Sequence, residues 1–314
     1  MQVSQVGRNV KGQYVWTNSL QIDNKTIIVT GKLFKVARIK EEWYEDVEDP
    51  ESLIEEFKRA GVKADLFTFF QRIPETKPRH NYFIEWESAA VIPIISFDHW
   101  WQNQIKKNTR QAIKRSEKME VQVRLVEFND ELVEGIKQIY DESPIRQGRP
   151  FPHYRKDFNS LKKYLATYPD RNVFIGAYYK GELIGFIKLT DEKNFMDIMF
   201  FLSKIQHRDK APANALLAKA VEICAERKIP YLEYGTWSRR GLDDFKRHNG
   251  FERIDVPRYY IPLTFKGRIV MELNLHHGIS GILPDGLANH LIELRKKWYK
   301  WKYKKVFEIP LGKG

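Results

Sequence analysis

The amino-acid sequence predicts a mixed α+β fold in which sheets are flanked by helices. Three observations predict it. β-branched and aromatic residues alternate over short runs such as Thr26 to Ile39 and Val173 to Tyr179, which is the period of a strand. Amphipathic stretches with helical spacing lie between those runs. A strand, a helix and a second strand follow one another from Phe195 to Tyr234, the order of a βαβ unit. At 314 residues, with 42% apolar and 13% aromatic side chains, the chain is long enough for two domains with accessory segments and too apolar for intrinsic disorder.

Residues 1–97 read as a first α+β unit. After the strand run Thr26 to Ile39, Pro50 opens a helix that reaches Arg59, with Gly61 behind it as a stop signal. Asp65 to Phe70 and Tyr82 to Ile95 read as further strands. Asp98 is placed to N-cap a long basic helix ending near Met119, with Trp100, Trp101, Ile105, Ala112 and Ile113 on one stripe. This segment, residues 98–121, is expected to join the first unit to a second one spanning 122–264.

In the second unit, Val121 to Val126 alternates as a strand and Asp130 to Tyr140 is an amphipathic helix. Ser143 to Tyr154 is irregular, because three prolines and a glycine break regular structure there. Its Arg, His and Tyr side chains make it a candidate wall of a site. Asp157 to Ala166 reads as a helix. Val173 to Tyr179 and Glu182 to Leu189 form a hairpin through Lys180 and Gly181. Phe195 to Leu202 is the next strand. The helix Ala213 to Arg227 places Leu216, Leu217, Ala220, Ile223 and Cys224 toward a sheet, and Tyr231 to Tyr234 is the strand beyond it. Residues 265–314 form a C-terminal extension whose segment 285–305 reads as a helix.

The net charge of +12 resides in two places. Residues 106–118 hold six basic side chains and one acidic, residues 295–305 hold seven basic and none acidic, and the remainder is balanced. Leu287, Leu291, Leu294, Trp298 and Trp301 form a packing stripe along the second segment, among lysines, Tyr299 and Tyr303. Such a face suits RNA phosphates with ring stacking, anionic lipid headgroups, or simple solvation. Glu41 to Glu56 carries nine carboxylates and no lysine or arginine. It matches no calcium-loop spacing and reads as a solvated helix face and loop. The amino terminus lacks the apolar core of a secretory signal, and the run Ala89 to Ile95 is too short to span a bilayer, so a cytoplasmic protein is expected. The single cysteine, Cys224, reads as a buried structural thiol.

Candidate chemistry gathers at the start of the Ala213 helix. A helix amino terminus presents unpaired N–H groups and partial positive charge, which suits a phosphate where small residues leave the approach open. Gln206, His207, Arg208 and Lys210 surround this one, and Ala211, Pro212 and Ala213 form its first turn. Close packing on a sheet calls for small residues as well. Asp197 and Glu233 fall within strands, where a carboxylate is costly unless paired. Both are candidate bases, or else face solvent or pair with a lysine. His153, His207 and His248 are further groups able to titrate near neutrality. No zinc-type Cys/His spacing, Walker loop or nucleophile elbow occurs, which disfavours metal hydrolase, NTPase and serine hydrolase chemistry. His276 and His277 are adjacent and read as surface residues.

The run of strand, RDKAPA, LLAKAVEICAERK, strand and FKRHNGF resembles the GNAT acyltransferases. In that family an Arg/Gln-x-x-Gly-x-Gly/Ala loop holds the pyrophosphate of acyl-coenzyme A. Arg208, Ala211 and Ala213 fall on the three positions, with Ala211 where glycine is usual; the added Cβ restricts both φ and the approach of a phosphate. Lys246 stands where the family commonly shows a tyrosine that protonates the leaving thiolate. NTRQAIKRSEKMEVQVR, residues 108–124, and FKRHNG, residues 245–250, resemble the Fem-type aminoacyltransferases and their acyltransferase relatives. The likeness covers about residues 100–262 directly and the first half by architecture. It implies two GNAT-like domains, each a mostly antiparallel sheet flanked by helices, and a role for Lys246 in handling substrate. It also implies acyl-CoA as donor, without a metal, and an amine acceptor such as an amino sugar, a peptide or a small amine. Aminoacyl-tRNA is the alternative donor. A fold that has lost its donor site and binds RNA or a membrane through residues 285–305 is the non-catalytic alternative.

Overall fold

The computed structural model describes residues 3–10, 13–22, 25–42, 44–146, 149–237, 242–277 and Leu294. The predicted helix at 285–305 lies outside the described residues except for that leucine. A hairpin of β1 (Val3–Val10) and β2 (Gln13–Ile22) leads to β3 (Lys25–Thr30) and β4 (Val36–Ile39). The sequence reading assigned no strand before Thr26, because residues 3–19 are mostly polar. Helix α1 (Pro50–Arg59) has its predicted bounds: the Asp49 side chain accepts from the Ser52 N–H, and proline occupies the first turn. Strands β5 (Leu66–Phe70) and β6 (Phe83–Pro93) follow.

The long helix expected from Asp98 to Met119 is broken into pieces. One turn, α2 (Phe97–His99), runs into a π-helical turn at Trp100–Gln104, and Ile105 is extended before α3 (Lys107–Lys118) begins. The wide turn closes with the Ile105 N–H on the Trp100 carbonyl and allows both side chains to be buried. Trp100 also donates its indole N–H to the Asn249 carbonyl, at 3.0 Å. Gly250, at φ +85°, lies beneath the Trp100 and Gln104 side chains, where a Cβ would come within 3.0 Å.

Strand β7 (Gln122–Val126), α4 (Asp130–Asp141), a minimal hairpin of β8 (Ile145–Arg146) and β9 (Arg149–Pro150), and α5 (Phe158–Leu165) come next. Then follow β10 (Asn172–Tyr179), β11 (Glu182–Asp191), β12 (Met196–Ser203), α6 (Pro212–Glu226) and β13 (Tyr231–Thr236). The described chain closes with α7 (Leu242–His248), β14 (Glu252–Pro262), α8 (Phe265–Glu272) and a 3-10 turn, Leu275–His277.

Twelve described strands form one sheet in the order β1-β2-β3-β4-β5-β14-β6-β13-β12-β11-β10-β7. The β4–β5 and β12–β13 pairs are parallel and the other described pairs antiparallel. Two separate sheets were expected. Instead, β14 inserts between β5 and β6, and β6 pairs with β13, so hydrogen bonding continues across the predicted boundary at residue 97. Successive strand residues point to opposite faces. Ile175 therefore packs with Leu216, Leu217 and Cys224 of α6, while Phe174 packs with Val133 and Ile136 of α4 and Leu161 of α5. Helix α1 buries Leu53 and Phe57 against Phe67, Phe69 and Tyr259. Cys224 is fully buried, as its spacing predicts, and burial pushes its thiol up to about 12.

The acidic run is only partly a solvated face. Glu42 pairs with Arg258 at 2.9 Å, Asp46 with Arg79 at 2.7 Å, and Tyr44 reaches Asp197. Among the described residues, no helix is long and apolar enough to cross a membrane.

Candidate active site

The chain leaves β12 at Ser203 and makes a 3-10 turn, Ile205–Lys210. It then passes through Ala211 in the left-handed region, at φ 51° and ψ 42°, and enters α6 at Pro212. A left-handed residue at this joint turns the chain sharply enough to aim the helix start back at the end of β12. Pro212 contributes no N–H and the Asn214 N–H bonds the Ala211 carbonyl at 3.1 Å, which leaves the Ala213 N–H at this electropositive helix end. A cavity of about 230 Å³ opens there, and its walls include Arg146, Ser203, Arg208, Ala213, Tyr234 and Phe245. The loop singled out for its basic and aromatic residues thus supplies a wall of the cleft, through Arg146.

Arg146 is held in place. It donates to the carbonyls of Ser203 at 3.0 Å and Ile139 at 2.6 Å, and pairs with Glu142 at 3.0 Å. Burial lowers the Arg146 pKa and the neighbouring Arg208 acts in the same direction, against the pull of Glu142. Glu142 also accepts the backbone N–H groups of Ile205 at 2.6 Å and Gln206 at 3.0 Å. An internal carboxylate therefore occupies the first donors of the turn, much as a phosphate oxygen could. Arg208 is exposed and, among the described residues, its guanidinium has no hydrogen-bond partner, while its carbonyl accepts from the Ala211 N–H. The Lys210 ammonium is engaged with Asp209 and stacks over Tyr179, 4.8 Å from the ring centroid. Gln206 is exposed, Ala211 is buried, and Ala213 lines the cleft.

Lys246 stands behind one wall of the cleft. It is 2% exposed and donates to the carbonyls of Tyr234 at 2.6 Å and Thr236 at 2.8 Å, with its ammonium 4.8 Å from the Tyr234 ring centroid. Those carbonyls are available because the pairing of β13 with β6 shifts register between Glu233 and Thr236, while β12 pairs with β13 only at Met196 and Asp197. Burial lowers the Lys246 pKa to about 8, with Asp243, Glu233 and Asp197 acting to keep it charged. Helix α7, which carries it, is fixed from the α2–α3 side: the His248 carbonyl accepts from the Lys106 N–H and from the Thr109 hydroxyl.

Asp197 and Glu233 lie directly opposite each other on the parallel strands β12 and β13, and both are 4% exposed. Tyr44 donates its hydroxyl to Asp197 Oδ2 at 3.0 Å. Burial raises the pKa of both carboxyls, and the charge of Asp197 raises that of Glu233 further. Strand alternation points Glu233 away from the face of Tyr234, and neither carboxylate is among the residues lining the cleft. Their field still reaches the cleft wall: burial and then the charge of Asp197 push the Tyr234 hydroxyl up to about 12.

His153 lies elsewhere. Its ring packs among Tyr164, Tyr140 and Phe151, at centroid distances of 4.9, 5.2 and 5.3 Å. Burial, then Lys156, lower its pKa to about 4, so it is a neutral aromatic packing element near pH 7 and not the titrating group its loop suggested. The structure thus brings Asp197 and Glu233 together on facing strands, sets Lys246 over the Tyr234 ring, and puts Arg208 and Ala213 on the cleft wall. Sequence reasoning missed Arg146, Glu142, Tyr234, Phe245 and Tyr44. A local signal existed for Arg146, within the flagged loop, and for Phe245, beside Lys246; Tyr44 is joined to Asp197 only by the fold.

No protein-family model matches the sequence, and no curated protein matches it. Solved structures do. FemX superposes with a TM-score of 0.58 at 10% identity, over 87% of this chain and 90% of that one. The C-terminal domain of a putative lysylphosphatidylglycerol synthetase from Agrobacterium fabrum gives 0.56 at 14% identity, over 82% and 88%. L-PGS from Bacillus licheniformis gives 0.53 at 14%, over 82% and 88%. At these identities the likeness is one of fold.

Proposed function

We propose, from the GNAT-like, Fem-type fold of this chain, that it is an acyltransferase that moves an acyl group from acyl-CoA to an amine. The observation that carries the reading is the cleft at the start of α6, where two guanidinium groups and two aromatic rings meet on one wall system. Arg146 and Arg208 are placed for the donor's phosphates, and Tyr234 and Phe245 offer an apolar slot for its acyl arm. Attack by a neutral amine forms a C–N bond, and collapse of the tetrahedral intermediate breaks the C–S bond. The amine nitrogen loses a proton and the departing thiolate gains one. Negative charge develops on the carbonyl oxygen and then on sulfur. The buried ammonium of Lys246, behind Tyr234, is a fixed positive charge that favours both. Asp243, with Asp197 and Glu233 once they are ionised, acts one step back, favouring the charged form of Lys246 against its burial.

Aminoacyl-tRNA is the second donor to test, for a specific reason. Glu142 already occupies two N–H groups of the turn, and Ala211 places a Cβ where close approach to a pyrophosphate favours glycine. Thermal-shift and calorimetric titration with coenzyme A, acetyl-CoA and charged tRNA separates the readings. Stabilisation by the first two supports the lead, and a response to tRNA alone supports the second. Arg208→Ala removes an exposed side chain, so its Tm should hold while coenzyme A affinity falls about tenfold or more. An unchanged affinity would remove Arg208 from the site, and silence to all three ligands would overturn the transferase reading.

A further inference from the structure

The C-terminal turn makes a contact that the cleft does not use. His276 and His277 sit on the 3-10 turn Leu275–His277, and both aim their Nε2 atoms at one oxygen of Glu85 on β6. The distances to Glu85 Oε1 are 2.7 Å from His276 and 2.9 Å from His277. The two imidazoles are side by side, with centroids 4.2 Å apart, and the three ligand atoms all lie within 4.8 Å of one another. Tyr260 packs edge-on against the His276 ring at 4.7 Å, with Phe83 on the same ring at 6.4 Å.

As hydrogen bonds alone the arrangement is uneconomical, because two ring N–H groups must share a single carboxylate oxygen while each could have had its own. His276 is 1% exposed at its side chain, and its Nδ1 is buried without a partner. With Nδ1 unpartnered, the Glu85 oxygen favours the Nε2–H tautomer of His276, so metal binding at Nε2 would move that proton to Nδ1 and replace the hydrogen bond by a coordinate bond. The side chains of Glu85 and His277 are 28% and 45% exposed, which leaves an entry path from solvent.

The geometry points to a binding site for a divalent transition metal of the zinc type, held by Glu85, His276 and His277. Two imidazole nitrogens and one carboxylate oxygen are a donor set that suits zinc; calcium and magnesium prefer oxygen alone. Zinc holds nitrogen and oxygen donors at about 2.0–2.2 Å in a tetrahedron, so they stand about 3.3 Å apart. The two nitrogen–oxygen separations need to open by about half an ångström to accept the ion, a shift the two exposed side chains can supply. Water would complete the shell. The ion would clasp the turn after α8 onto β6, joining positions 191 residues apart in sequence. It lies outside the proposed acyl-transfer cleft and stands or falls independently of it.

The test uses the full chain, stripped with a chelator and titrated with zinc, cobalt and magnesium. One equivalent of zinc should raise Tm by several degrees, cobalt should give the visible absorption of a low-symmetry nitrogen and oxygen site, and magnesium should do neither. His277→Ala and Glu85→Gln both alter partly exposed side chains, and circular dichroism confirms that they fold. Each should weaken zinc binding by roughly a hundredfold or more, since even outer-shell partners of metal ligands account for about 10–100-fold. His153→Ala should leave binding unchanged. Failure of zinc and cobalt to bind the wild-type chain below millimolar concentration would overturn the site, as would zinc binding that survives intact in both variants.

Discussion

Replacing Asp197 by asparagine removes one of the two carboxyls that face each other across β12 and β13, while keeping an oxygen to accept the Tyr44 hydroxyl. Adjacent strands run about 4.8 Å apart, so two full charges there repel by about 3 kcal/mol at an effective dielectric constant of about 20. Burial adds to that cost and opposes ionisation of either group. A carboxyl whose native pKa lies above its unfolded value keeps a proton that the unfolded chain has released. Its favourable contribution is therefore full below the unfolded pKa, near pH 4, and is lost as pH rises through the native pKa. The wild-type chain should accordingly lose stability between about pH 4 and neutrality through this pair. Asp197→Asn should flatten that slope. In urea unfolding followed by circular dichroism, the variant should be more stable than wild type by about 1–3 kcal/mol at about pH 8 and nearly equal at about pH 4. If the variant is destabilised to the same extent at both pH values, the reasoning fails. Arg72 and Lys246 would then be offsetting the charge in full, and the carboxylate itself would be required.

Three further outcomes follow from the same geometry. Ala211→Gly relieves an L-residue at φ 51° but loses a buried methyl, effects of about 1 kcal/mol each. Its unfolding free energy should therefore stay within about 1 kcal/mol of wild type, while calorimetry shows tighter coenzyme A binding. Glu142→Ala strips the acceptor from two backbone N–H groups and the partner from Arg146, and should cost about 2–4 kcal/mol in urea unfolding. Lys246→Met removes the ammonium behind Tyr234 and leaves two strand carbonyls without their donor. Its kcat should fall about a hundredfold or more while the dissociation constant for coenzyme A changes little, and a loss confined to donor affinity would refute the electrostatic role.

Local chemistry made much of the fold legible. Helix α1 has its predicted bounds because a cap, a proline and a glycine act within a turn of one another. The hairpin through Lys180 and Gly181 was readable because both residues adopt positive φ, 50° and 83°, as a tight reversal between strands requires. The start of α6 was readable from small residues and proline, and with it Arg208 and Ala213 of the candidate cleft. Asp197 and Glu233 drew notice as carboxylates within strands and Lys246 through the family resemblance, but nothing local said that Asp197 and Glu233 would face each other.

The amino-acid sequence by itself determined helix α1, the β10–β11 hairpin and the strand–helix–strand order around α6, because each depends on residues a few positions apart; β1, β2 and the break before α3 were beyond it. Tertiary structure alone decided that β14 slots between β5 and β6, that Tyr44 reaches Asp197 across 153 residues, and that Arg258 meets Glu42 across 216. It also placed Glu142 on the turn before α6 and turned the Tyr234 and Thr236 carbonyls toward Lys246. Those pairings carry no signal at short range. Each forms only when the whole sheet is assembled, since the entropy of closing such long loops is offset by burial of the complete core and not by any one contact.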